Sequence, residues 1–258
     1  MTAGQSIATG AEPVLSELVD GVQWLTLNRP DRLNAVTPEL YDVLKARVAE
    51  AASDRRVKCV VLTGAGKGFC AGKDLKAAAS EQAETAGEWL EARIEYLRAS
   101  SQISKMLHEM EKPTIAMVNG AAAGAGLSLA AACDFRIAGE AAVLTSAFVK
   151  VGLPGDMGGT WFWTRILGAA KAKRLYLRSE RFDAQAALAF GLVDEVVSDD
   201  GLKAQVSALA AQFASSSATA LRFAKAALNA APACSLDEML EIEAVNTALA
   251  GVDAAMQA

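Results

Sequence analysis

Residues 112–134 read KPTIAMVNGAAAGAGLSLAAACD, and the reading of this stretch decides the fold. Positions 113–118 are apolar and partly β-branched, as a strand buried on both faces requires. Asn119-Gly120 stops that strand, and small residues lead into a helix starting near Gly126. The span 113–133 carries no charge and is about long enough to cross a bilayer. Asn119-Gly120 in its middle, then Gly124, Gly126 and a run of weakly apolar alanine, argue against a membrane segment. The stretch is therefore strand, turn and helix of a globular protein.

The same alternation recurs on either side. Positions 22–28 (VQWLTLN) form a strand that Asn28-Arg29-Pro30 ends. Thr37-Pro38-Glu39 then supplies an N-cap, a proline at the first helical position and an acidic first turn, for a helix running to about Ala52. Positions 57–63 (VKCVVLT) form another buried strand, followed by the loop GAGKGFCAGKDL and a helix over 87–111. Short runs at 135–138 and 143–145 extend the sheet, and 192–197 is the last clear strand. Helices follow at 201–213, 218–229 and 236–250. Alternating strands and helices imply right-handed crossovers and a mainly parallel sheet, an α/β class. The expected organisation is a loose tail over 1–13, a core domain over 14–198 and a helical region over 199–258.

Composition removes whole classes of function. Of 258 residues 52% are hydrophobic, which excludes a disordered chain, and the net charge of -5 gives no footprint for a polyanionic backbone. Cys59, Cys70, Cys133 and Cys234 are scattered and His108 is the only histidine, so no zinc site or disulfide framework is legible and a reducing cytoplasm fits. The N-terminus lacks the basic start and apolar block of a secretory signal. Gly64-Ala65-Gly66 meets Phe69 where a dinucleotide fingerprint needs a glycine, and no phosphate loop or nucleophile elbow is present. Cys70 has no partner but His108, which lies in a helical segment, so packing is expected for the thiol and a helix-surface position for the imidazole.

What remains is a pair of turns, Phe69-Cys70-Ala71-Gly72-Lys73-Asp74-Leu75 and the run from Asn119 to Leu127. Each leaves a buried strand through small residues and opens a helix, where unpaired N–H groups can hold an oxyanion and glycine admits a ligand. The same small residues equally suit close packing of helix on sheet.

The chain resembles the crotonase superfamily, the enoyl-CoA hydratase/isomerase family. The likeness rests on LNRPDRLNA (27–35), LTGAGKGFCAGKDL (62–75), the stretch 112–134, VGLPGDMGGTWFWTRILG (151–168) and FDAQAALAFGLVDEVV (182–197), in that order. It implies a spiral of ββα units, a C-terminal helical region that mediates homotrimers or hexamers, and an acyl-CoA thioester substrate with no metal or redox cofactor, nucleic acid or membrane involved. It assigns oxyanion amides to Lys73 and Ala125, with Gly124 beside the latter. Coenzyme A would lie along Arg32, Leu33 and Ala35 and along Ala71, Gly72, Asp74 and Leu75. Lys67 and Lys76 are either phosphate contacts or solvated loop lysines.

The two glutamates of typical hydratases match Ser128 and Phe148 here, neither of which can serve as a general base near neutral pH. Asp156 matches the position of a single acid in family isomerases, including those resembling the ring-isomerising enzyme of phenylacetate breakdown. In an apolar pocket near Phe148 and Trp161 its carboxyl would titrate high and shuttle a proton. The competing reading is a cap for the helix near Gly159. Asp74 and Asp134 sit at family positions that suit loop hydrogen bonds. The expected activity is enoyl-CoA isomerisation, with hydration (a lyase reaction, as in fatty acid metabolism) and non-catalytic acyl-CoA binding as alternatives. Relatives usually continue past the position of Met256 with an aromatic and basic segment.

Overall fold

Strand β3 (Cys59–Gly64) is buried at every position, and it forms the middle of a mainly parallel sheet. The computed structural model describes residues 12–74 and 86–257. In the larger sheet, β2 (Val22–Leu27), β3, β5 (Thr114–Val118), β7 (Phe135–Gly139) and β10 (Glu195–Val197) run parallel in that order. A strand not marked by the sequence pattern, β1 (Val14–Val19), pairs antiparallel with β2. Asp20 and Gly21, both at positive φ, make the tight turn between them. Glu12 and Pro13, expected in a tail, are tied down by Asn28 and Arg47.

The second sheet joins β4 (Gly68–Cys70), β6 (Ala121–Ala123), β8 (Val143–Thr145) and β9 (Phe182–Asp183). Its strands have three residues or fewer, too short to show a period in sequence. Each repeat of the spiral is one strand of the large sheet, one of the small sheet and a helix. These repeats are β3, β4 and α2 (Ala86–Glu109); β5, β6 and α3 (Ala125–Ala132); β7, β8 and α4 (Gly159–Arg178). Helix α1 (Pro38–Ser53) opens with the expected cap, Thr37 Oγ1 accepting from Leu40 N at 3.3 Å. After α5 (Ala184–Phe190), α6 (Leu202–Ser215) lays Leu202, Val206 and Ala210 on Val61, Ile115 and Ile137 of the large sheet. Helix α7 (Ala218–Ala230) is tied to the core through Lys225, and α8 (Leu236–Gln257) leaves Leu236, Leu249 and Met256 exposed. No described helix is long and apolar enough to cross a membrane.

Two asparagines, one buried and one half-buried, hold the connection from β3 to β4. Asn34, at φ 56° and fully buried, donates to Ala65 O and Gly68 O and accepts from Arg29 N. Asn119 accepts from Gly64 N and the Thr63 hydroxyl while donating to Gly64 O at 2.8 Å and Gly66 O at 3.0 Å. Gly120 follows because a Cβ there would overlap Lys67 O. Asn119→Ala should lower unfolding stability by about 2–4 kcal/mol, since it strands several backbone groups. The exposed Lys67→Ala should stay within about 0.5 kcal/mol in the same urea titration.

Candidate active site

The two small-residue turns meet. They leave β4 and β6, which are adjacent and parallel. Gly72 adopts φ +86°, which places its carbonyl to accept from Val36 N at 2.8 Å, while Asp74 N donates back to Val36 O. A Cβ on Gly72 would lie 2.7 Å from Ala123 O and 3.5 Å from Ala125 N. Gly124 (φ +54°) is the N-cap of α3, and Ala125 is its first residue, so the Ala125 N–H has no acceptor within the helix. Lys73 holds the corresponding place after Gly72 in the first turn.

Asp156 lies on the loop before α4. Its Oδ1 accepts from its own neighbour, Met157 N, at 2.7 Å. It is not the helix cap: that position is Gly158, with no side-chain bond. Burial pushes the Asp156 carboxyl above the usual range, against the Met157 bond and the positive charges of Arg93 and Lys73. The acid thus shares its electrostatic surroundings with the first turn.

Ser128 and Phe148 are buried and engaged. Ser128 Oγ donates to Gly124 O at 3.3 Å and bonds the Tyr176 hydroxyl, and Phe148 stacks on the Tyr176 ring. Burial first, then the nearby Asp156 charge, pushes the Tyr176 phenol up to about 12 despite its bond to Ser128. Tyr41, on α1, is the second phenol near the acid. Its buried hydroxyl has no hydrogen-bond partner among the described residues, and burial followed by the Asp156 charge raises its pKa. Neither tyrosine carries a sequence signal beyond an apolar helix position. Tyr176 in particular comes back against Gly159 only because α4 breaks at Gly168 (φ 75°, ψ 159°).

The remaining expected residues are spread along the first turn and its rim. Ala35 is buried, Ala71 N donates to Leu33 O at 2.9 Å, and Arg32 and Lys67 are exposed. Asp74 pairs with Arg29 at 3.3 Å, and Asp134 accepts from Thr114 and pairs with Lys225 at 2.8 Å. Leu75 and Lys76 lie outside the described residues. Trp161 lines a cavity with Met157 and Gly158, the two residues that follow Asp156. Its indole is 42% exposed, stacks under Arg165 and meets His108 edge-on. The charges acting on that His108 are Lys225, Asp134, Glu109 and Arg165, not Asp156. His108 is itself half-buried between Trp161 and Phe162 rather than on the helix surface, because α4 packs over it. Cys70 is a packing residue, its thiol pushed up to about 12 by burial.

The model of the family described as enoyl-CoA hydratase/isomerase matches residues 17–252. The 1,2-epoxyphenylacetyl-CoA isomerase of Escherichia coli (strain K12) is 37% identical over 240 residues, 93% of this chain and 90% of that one. The crotonyl-CoA hydratase of Syntrophomonas wolfei is 33% identical over 234 residues, 90% and 87% of the two chains. Among solved structures, an enoyl-CoA hydratase from Bacillus anthracis superposes with a TM-score of 0.84 at 30% identity, covering 91% of this chain and 89% of that one. The chain belongs to the enoyl-CoA hydratase/isomerase family and has the α/β crotonase fold.

A carboxyl whose folded pKa is raised is penalised in its ionised form, so above both folded and unfolded values its charge lowers stability. Asp156→Asn should therefore melt at the same or a higher temperature than wild type near neutral pH. The difference should vanish as pH falls below the ordinary carboxyl value of 3.8, as followed by thermal unfolding across pH.

Proposed function

We propose that the protein isomerises acyl-CoA thioesters, holding an enolate oxygen between the amides of Lys73 and Ala125 while Asp156 carries the proton. The observation behind this reading is the backbone contact between the turns of Gly72 and Gly124, with the half-buried Asp156 carboxyl feeling the Lys73 charge beside them. Preorganised donors at a developing oxyanion contribute about 3–4 kcal/mol each. Asp156, ionised, removes a proton from one carbon of the acyl chain, and the C–H electron pair enters conjugation with the thioester carbonyl. The same carboxylic acid then returns the proton to a different carbon, which moves a double bond or opens a strained ring. No step calls on a metal or an electron carrier. The similar Escherichia coli relative, named as an isomerase, supports the assignment.

Coenzyme A would run along Arg32, Leu33 and Ala35 and the turn 71–75, with Lys67 and Lys76 toward its phosphates. The exposed apolar side chains of α8 support a homotrimer or hexamer, and the free cysteines support work in the cytoplasm. Hydration is the second reading, favoured by the name of the Syntrophomonas wolfei relative. It lacks a carboxylate at Ser128 and Phe148 to activate water.

Asp156→Asn should lower turnover of a 3-enoyl-CoA by about 10²–10⁴-fold, the contribution of a positioned general base. In wild type, kcat/KM should fall on the acid side with a midpoint above 3.8, because the base must be ionised and burial raises its pKa. Unchanged turnover in the variant would remove Asp156 from the mechanism. Faster formation of 3-hydroxybutyryl-CoA from crotonyl-CoA than isomerisation of the 3-enoyl thioester would select hydration. Binding of acyl-CoA with turnover of neither would leave a non-catalytic carrier.

A further inference from the structure

Tyr176 links the two halves of the site. Its ring stacks on Phe148, with centroids 5.8 Å apart and planes 9° from parallel. Its Cε1 lies 3.3 Å from where a side chain on Gly155 would begin, and a Cβ on Gly159 would overlap both its hydroxyl and Ser128 Oγ. The ring therefore packs against residues on both sides of Asp156. Phe148 continues to the other half: its Cε1 is 3.7 Å from the Cβ position of Gly124, next to the Ala125 amide. Ser128, Phe148 and Tyr176, all less than a tenth exposed, form an unbroken wall from that amide to the loop carrying the acid. A bound water needs room for about one probe sphere and roughly two to four polar partners. Here the two hydroxyls bond each other and Gly124 O, and a ring fills the space.

We infer that Tyr176 is a specificity-determining residue, whose ring denies Asp156 a nucleophilic water on this side and so restricts the site to proton transfer. The inference rests on the isomerase reading. With the wall intact, the proton that Asp156 takes from one carbon returns to another and the composition of the substrate is unchanged. With the ring removed, a water fits beside a 2-enoyl thioester. Asp156 then takes a proton from that water, the water oxygen bonds carbon 3, and carbon 2 receives the proton, so one water is added overall.

The test compares isomerisation of 3-hexenoyl-CoA with hydration of crotonyl-CoA, using the full chain and its Tyr176→Ala, Tyr176→Leu and Tyr176→Phe variants. Tyr176→Ala should raise the ratio of hydration to isomerisation by about tenfold or more. Tyr176→Leu should move it the same way, and Tyr176→Phe, which keeps the ring, should hold the ratio within about threefold. An unchanged ratio in both Ala and Leu variants overturns the inference. A Phe variant that changes as much as the Ala variant also overturns it, because the hydroxyl rather than the ring would then decide. If Tyr176→Ala does not fold, Tyr176→Leu and Phe148→Leu decide between the two outcomes. Asp156→Asn, assayed alongside, separates the two levels. Lost isomerisation there with unchanged Tyr176 ratios removes only the wall, whereas full activity in Asp156→Asn, or none in wild type, removes the isomerase reading itself.

Discussion

The close approach of Gly72 to the turn at Ala123 to Ala125 is the contact on which the site depends. Any side chain at Gly72 would press on Ala123 O, and its positive φ suits glycine alone. Because β4 and β6 are parallel neighbours, the chains leaving them emerge on the same side, and the start of α3 is brought against the first turn. Asn34 and Asn119 hold the preceding loop by saturating its backbone groups, so the position of the first turn is set from below. The small second sheet is thus a positioning device: three-residue strands bury little, but they fix where the two turns lie relative to each other.

Around this contact the charges are arranged by burial. One carboxyl, Asp156, is driven upward by desolvation and held in check by Arg93 and Lys73. Two phenols lie near it, Tyr176 bonded to Ser128 and Tyr41 with no partner among the described residues. Neither phenol ionises near neutral pH, so the acid is the titrating group among them. Ser128 and Phe148, an uncharged hydroxyl and an apolar ring, are buried against Tyr176, and neither can act as a base near neutral pH.

Much of this is legible in the chain. The nearly continuous apolar runs at 57–63 and 113–118 mark buried parallel strands, and Thr37-Pro38-Glu39 marks the start of α1, because each signal is local in cause. Strand β1 leaves no such mark because its residues are mostly exposed, and β4 and β6 leave none because three residues are too few to show a period. Trp161 meets His108 edge-on, a contact that its sequence position does not announce. Position along the chain says nothing about which neighbour a helix face meets once it packs on His108.

The family resemblance singles out Asp156; by itself the sequence determined the α/β class, the order of its motifs and the two glycine-bearing turns. These follow from side-chain chemistry and nearest-neighbour backbone preference. The tertiary structure decided what surrounds that acid. Gly159 and Tyr176 are seventeen positions apart in α4, about 25 Å in an unbroken helix. They touch because Gly168 leaves helical geometry and the chain folds back, a contact set by long-range packing that no local preference encodes.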